Sequence, residues 1–492
     1  MSNQTDSKDY GNDIMHVETT PEGTMKQETT HVYADAKRQA YFARKYDRHM
    51  LWLVCVLYVL SYLDRGNIGN AKTAGAQRDL DLSSAQWTWV LNAFYICYTV
   101  FEFSTVFWKI FPAHIYVAVL ALIWGTLAMS AGAVQGMGGL VACRALLGIA
   151  EAGFGAGAPY YLSLFYQRKE LGLRVALLLG MSPLANCFAS SLAYGITSIK
   201  NSPIETWRLL FIIEGAPTVL IVPVVYFLLP DSPSTAKFLT EDERTAAVER
   251  MHTKDTTAKT KLNWDQVKAG LSDVQSWTHA LMHFCCNYSF AGLSNFLPTI
   301  VQNLGYSSIR AQGLTAPPYL VSFILCVVVA FYSDRHGHRG FLVAGMAFMG
   351  MIGYLLLAIL EDTKYNGVRY LGVWLAVCGI FPALSINITW LLNNSGGDSK
   401  KGAGLAVLAI FGQTSSFISS AVFPKEDAPY FVKGCALGCG FTGLIVILSL
   451  GLHFKLVHEN KRRDRENGPI DPTEQLDLTL LSDKHPSFRY FT

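Results

Sequence analysis

Beginning near Leu51 the chain passes through one long apolar run after another, each close to the ~20 residues that a helix needs to cross a bilayer. Helices are expected at approximately 50–70, 86–108, 114–134, 138–165, 173–198, 207–229, 275–300, 314–333, 340–360, 367–392, 402–424 and 431–457, which makes twelve spans. With 51% hydrophobic and only 16% charged residues, the chain is too apolar for an ordinary soluble protein and reads as an all-α polytopic membrane protein. A net charge of +3, with no basic patch interleaved with aromatics, leaves no case for a nucleic-acid partner. The ten cysteines all sit in apolar stretches, where a thiol behaves as a small hydrophobe. Cys285-Cys286 and Cys435/Cys439 lack the spacing zinc wants, so no disulfide, metal or cofactor is expected.

Residues 1–48 are expected to form a polar, disordered amino-terminal tail, closing on Lys37, Arg38, Arg44, Lys45 and Arg48. Basic residues before the first span place that terminus in the cytosol. The same rule assigns to the inside the loops with Lys109, Arg168, Lys169 and Arg174, with Arg335 and Arg339, and with Lys400 and Lys401. A hydrophilic segment at 231–273 divides the spans into an amino-terminal half, 49–230, and a carboxy-terminal half, 274–458, as an internal repeat would; 459–492 is a second cytosolic tail. Thr240 and Glu243 have capping-box spacing, which predicts a short helix over 241–251.

Ionisable groups inside hydrocarbon are costly, roughly 2.5–3.5 kcal/mol each even on a lenient scale, and normally face a wet path. Asp64 and Arg65, in Ser61-Tyr-Leu-Asp-Arg-Gly-Asn-Ile-Gly-Asn70, are therefore the first functional candidates; the plain alternative is a charge pair ending a helix at the membrane surface. In the fourth span Arg144 and Glu151 are seven residues apart, so they share a helix face about 10 Å apart along the axis. They line a track through the membrane or tie two helices together. Tyr98, Asn287, Tyr288 and Asn387 are plausible polar wall residues, and Glu102 and Glu214 are either further cavity acids or structural groups.

The loop Ala330-Phe-Tyr-Ser-Asp334-Arg335-His-Gly337-His-Arg339 resembles the loop signature of the major facilitator superfamily, with Ala for its first Gly. A carboxylate at a helix end that holds the bases of a tight Gly turn can lock one half-bundle in one state and release it in the other, which gives Asp334, Arg335, Gly337 and Arg339 a gating role against the alternative of a plain surface ion pair. The first-half equivalent around Trp108 and His114 lacks the pattern.

Tyr62-Leu-Asp-Arg65, the Arg144 to Glu151 pattern with Tyr160-Tyr-Leu-Ser163, Trp207-Arg-Leu-Leu-Phe-Ile-Ile-Glu214, Leu229-Pro-Asp-Ser-Pro233, Asn393-Asn-Ser-Gly396 and Asp427-Ala-Pro429 are similar to the fungal allantoate permease-like group, the anion:cation symporter branch of that superfamily. The resemblance covers about 45–465. It implies the major facilitator fold, twelve transmembrane helices in two pseudo-symmetric six-helix bundles, in a monomer of the plasma membrane with both termini cytosolic. It implies proton-coupled uptake of a small organic anion such as nicotinate, pantothenate or allantoate. By position it implies that Arg65 contacts the substrate carboxylate, that Asp64 and Glu151 are the protonatable pair and that Arg144 is the neighbouring base. The chain departs from the group at Glu102-Phe-Ser-Thr105 and at Gly412-Gln413-Thr414-Ser415, so Gln413 is a candidate for reading a different substrate.

The partners expected are thus the anion, protons and lipid, with the proton gradient as the energy source. Export by antiport is the rival, although Gly180-Met-Ser-Pro183 lacks the Gly-Pro-x-x-Gly-Gly-like element of exporters. A nutrient sensor that binds without turnover is a rival of another class, against which stands the short tail. The phosphate-loop, His-Glu-x-x-His and Gly-x-Ser-x-Gly motifs are missing, which argues against a membrane enzyme.

Overall fold

A computed structural model of the protein describes residues 40–155, 157–199, 202–255, 264–396, 398–423, 427–468, 483 and 485–492. Residues 1–39, the greater part of the tail expected to be disordered, lie outside the described residues. The chain divides into a unit of residues 1–48, whose described part is helical, and a unit of residues 49–492. In the second unit the principal helices are α1 (Trp52–Thr73), α2 (Ser84–Phe101), α3 (Ala113–Ser130), α4 (Met137–Gly155), α5 (Arg168–Thr197) and α6 (Thr206–Leu220). They continue as α7 (Val274–Gln302), α8 (Ser308–His336), α9 (Arg339–Ile359), α10 (Asn366–Asn394), α11 (Asp398–Gln413) and α12 (Val432–Asn467).

Among the described residues ten helices are long and apolar enough to cross a membrane, not the twelve expected. The two expected spans outside that count are 86–108 and 275–300, and each has a local reason. Helix α2 is regular for 18 residues before a 3-10 segment begins at the acid Glu102, and its apolarity is diluted by Gln86 and Asn92. Helix α7 has 29 residues, ample length at 1.5 Å per residue, but its apolarity is diluted by His279, His283, Asn287, Ser289 and Asn295.

Local chemistry sets the helix ends. Ser83 caps α2 by a reciprocal pair with Gln86 (3.2 and 2.8 Å), and Asp273 caps α7 through the Gln275 amide at 2.9 Å. The expected capping box at Thr240 and Glu243 forms (2.8 and 3.4 Å) and starts a helix over Glu241–Asp255. A second helix, Trp264–Ser272, follows in the same segment, where the sequence predicts a single one.

Helices α1 to α6 pack on one another chiefly as α2 on α4, α3 on α6, and α1 on α5 and α6; α7 to α12 do so as α9 on α10 and α12, and α7 on α10 and α11. The two sets meet along α5 with α8 and α1 with α7. Asn295 donates to the Tyr95 hydroxyl (2.8 Å) across this seam, and Gln312 joins Thr197 of α5 (2.7 Å) to Thr73 of α1 (3.1 Å).

Apolar matching to lipid cannot drive helices together, so close packing of small residues has to. At the α9–α10 crossing a Cβ on Gly379 would stand 2.5 Å from the Gly350 amide nitrogen and 2.5 Å from the Met346 carbonyl oxygen. Gly379→Leu is expected to force these backbones apart, at a cost of ~1–3 kcal/mol, and to lower the thermal unfolding midpoint of the solubilised protein. An unchanged midpoint would show that the crossing can relax freely.

Candidate functional site

Asp64 and Arg65 lie side by side on α1, at 1% and 6% exposure, yet they do not pair with each other. Consecutive residues on a helix point about 100° apart, so the two side chains address different neighbours. Arg65 turns to α4, where Nη2 and Nε both donate to Oε2 of Glu151, at 3.0 and 3.2 Å. Glu151 is fully buried, and among the described residues its Oε1 has no hydrogen-bond partner. Tyr62, Tyr98 and Phe94 surround the guanidinium, with ring centres 4.6, 4.7 and 5.0 Å from its carbon. One carboxylate and an aromatic box therefore hold a single buried cation.

Asp64 turns instead to α6. Its Oδ2 accepts from the Thr218 hydroxyl at 2.9 Å, and its Oδ1 has no partner among the described residues. Glu214, one turn before Thr218, is buried near Asp64 and Asn67, and among the described residues neither of its oxygens has a hydrogen bond of good geometry. Among the described residues Arg144 engages no carboxylate by hydrogen bond: it donates to the backbone carbonyls of Arg65 (3.1 Å) and Asp64 (3.4 Å) and lies 5.1 Å from the centre of the Phe94 ring. A narrow crevice between α1, α3, α4 and α6 is lined by Asp64, Arg144 and apolar side chains, including Leu127, Leu147 and Phe211.

The structure thus gathers Asp64, Arg65, Tyr98, Arg144 and Glu151 into one buried cluster. Sequence reasoning missed Tyr62, Phe94 and Thr218. Phe94 stands four residues before Tyr98 and Thr218 four after Glu214, so i, i+4 spacing from a candidate was the available signal.

The candidates in the second set of helices divide. Asn287 donates to Gln413 across α7 and α11 at 3.3 Å. Asn387 instead makes a two-way contact with His279, its Oδ1 accepting from the ring Nδ1–H at 2.7 Å and its Nδ2 donating to the His279 carbonyl at 3.1 Å. The Tyr288 hydroxyl donates to the Gly434 carbonyl at 2.8 Å. These two side chains join helices, whereas His283, one turn from both His279 and Asn287, is buried with Nδ1 unpartnered among the described residues. Among the described residues no group of three or more His, Cys, Asp or Glu side chains could hold a metal ion.

At the α8–α9 loop Asp334 accepts from Nη2 of Arg339 at 2.8 Å, and Gly337 takes the left-handed conformation (φ +73°) that closes the turn. The Asn393 amide, with its oxygen turned to Arg339, accepts at 2.9 and 2.6 Å. Arg335 is exposed and stands outside this pair.

The sequence profile described as the Major Facilitator Superfamily matches residues 54–424. The chain belongs to that superfamily. It is 32% identical over 474 residues to the major facilitator-type transporter hxnP of Emericella nidulans, which spans 94% of this chain and 95% of that protein. It is 30% identical over 454 residues to the high-affinity nicotinic acid transporter of Saccharomyces cerevisiae, with 91% and 84% covered. In fold it is similar to the proton:xylose symporter XylE (TM-score 0.62, 14% identity, 82% and 95% covered). It is also similar to a bacterial homologue of the human lysosomal transporter Spinster in an inward-facing, occupied state (TM-score 0.60, 14% identity, 83% and 96% covered). This major facilitator protein is an integral, multi-pass membrane carrier of the secondary-active type, and not an enzyme.

Proposed function

We propose that this carrier takes up a small organic monocarboxylate together with protons, in the manner of the fungal allantoate permease-like branch. The observation that carries the reading is the buried Arg65–Glu151 pair, with one carboxylate oxygen spare and an aromatic box around the cation. Protonating Glu151 frees the guanidinium, which can then grip a carboxylate bidentately. Proton and anion then bind cooperatively, because each relieves a charge that the other would leave uncompensated. Asp64, with its own spare oxygen beside Glu214, is the second proton site. Arg144 holds the α1 backbone so that Arg65 stays aimed at α4. Tyr98 lines the substrate's near wall, and Asn287 with Gln413 the far one.

In this reading all twelve of α1 to α12 span the membrane as two six-helix bundles that rock about a midplane site, in a monomer of the plasma membrane. The α8–α9 loop and both termini are cytosolic, and the Asp334–Arg339 pair across the Gly337 turn is the inner gate. The likeness to a nicotinic acid transporter favours a vitamin-like anion.

Proteoliposomes under an imposed pH gradient, offered labelled nicotinate, pantothenate, allantoate and acetate, test this. Accumulation of one anion driven by acid outside is expected. Anion efflux against acid entry, with none accumulated, would replace uptake by antiport export, and binding without flux would replace it by a sensor.

A further inference from the structure

Residues 485–492 lie against the face that carries the Asp334–Arg339 loop, and their backbone is held by two asparagines. Asn460 of α12 donates to the Tyr490 carbonyl (2.8 Å) and accepts from the Tyr490 amide (3.0 Å). Asn394, ending α10, does the same for Phe491, donating and accepting at 2.8 Å each. A side-chain amide that takes both N–H and C=O of one residue reproduces the pairing of a neighbouring β-strand, so this is peptide recognition independent of side chains. Trp390 Nε1 adds a second donor to the Phe491 carbonyl at 2.8 Å, and the Gly340 amide of α9 donates to the Thr492 carbonyl at 3.3 Å. Trp390 and Asn394 are 0% and 2% exposed, so the groove is part of the packed interior.

Two further anchors flank it. Arg463 donates to the carbonyls of Asp483 (2.8 Å) and Phe488 (2.9 Å) and lies 4.8 Å from the centre of the Tyr490 ring. Lys400 bridges Asp483 (2.7 Å) to Asp273 (2.6 Å), tying the chain just before the segment to the starts of α7 and α11.

The segment also covers the gate. The Phe491 ring centre is 5.0 Å from the Arg339 guanidinium, which is 1% exposed and paired with Asp334. Shielding one side of an ion pair from water lowers the local dielectric and strengthens it. That pair stands at the seam between the two sets of helices: a Cβ on Gly172 of α5 would lie 3.6 Å from Asp334 Oδ1.

We propose that residues 485–492 are an intramolecular latch, a peptide seated across Trp390, Asn394 and Asn460 that keeps the Asp334–Arg339 gate paired until it leaves. The test uses a chain ending at Lys484 and a fluorescent peptide with the sequence of residues 485–492. The peptide is expected to bind the solubilised truncated chain at least roughly tenfold tighter than the full chain, whose groove already holds the segment at high effective concentration. Hydrogen exchange is expected to rise on truncation both at 334–345 and at 168–180, a part of α5 that makes none of the contacts with the segment described above, and to fall again on adding peptide. Full-length Asn394→Ala, which keeps the segment, is expected to show the same rise to a smaller degree. Binding to neither chain, or unchanged exchange at 168–180, would overturn the latch. So would a rise confined to the truncated chain and accompanied by a lowered unfolding midpoint. No transported solute enters these readouts, so their failure is separable from failure of the carboxylate reading.

Discussion

Arg65→Ala is expected to remove saturable carboxylate uptake, by at least about 100-fold, the equivalent of ~2.7 kcal/mol and within the range for truncating one partner of a buried, hydrogen-bonded charge pair. The loss has two separable parts. Without the guanidinium the substrate carboxylate has no bidentate partner, and Glu151 is left buried with neither oxygen held by Arg65. Breaking a buried pair from one side costs ~3–5 kcal/mol of stability, whereas neutralising both sides costs much less. Arg65→Ala combined with Glu151→Gln is therefore expected to regain most of the thermal stability lost by Arg65→Ala and none of the uptake. Recovery of uptake in the double variant would remove Arg65 from the substrate site and make the pair a structural tie between α1 and α4. Arg65→Lys sharpens the test, because it keeps the charge but loses the planar fork that faces the Tyr62, Tyr98 and Phe94 rings.

Glu151→Gln is expected to abolish concentrative uptake while leaving exchange of labelled for unlabelled anion across the same liposome membrane. A glutamine still offers Arg65 an oxygen, but without charge it releases the guanidinium at every pH. Anion binding should then lose the pH dependence expected of the unaltered carrier, and the gradient should no longer do work. Asp64→Asn provides the comparison, since the Thr218 hydroxyl can still donate to the amide oxygen and the Arg65–Glu151 pair is untouched. If Glu151→Gln still accumulates substrate against its gradient with the usual pH response, the coupling proton is bound elsewhere, and Asp64 with Glu214 becomes the first place to look.

Much of the architecture follows from patterns along the chain. The apolar runs, the capping pair Thr240 and Glu243 and the left-handed turn at Gly337 depend on residues within a few positions of one another, so local physics specifies them. The interval between Arg144 and Glu151 is equally local, because helix rise fixes it. Helix α7 is the instructive departure: a span judged by average apolarity falls out of the count when one face carries His279, His283 and Asn287.

What the sequence by itself determined is therefore the apolar helices, the superfamily signature at 330–339 and the presence of acids and bases within apolar spans. Only the tertiary structure decided which acid meets which base. Asp64 is next to Arg65 in the chain, yet the partner of Arg65 is Glu151, 86 residues away, while Asp64 bonds Thr218, 154 residues away. The reason is geometric: neighbouring residues on one helix face different directions, and what each finds there depends on where α4 and α6 pack. The seating of Phe491 between Trp390, Asn394 and Arg339 is of the same kind, since a backbone held by asparagine side chains leaves no periodicity in the sequence that binds.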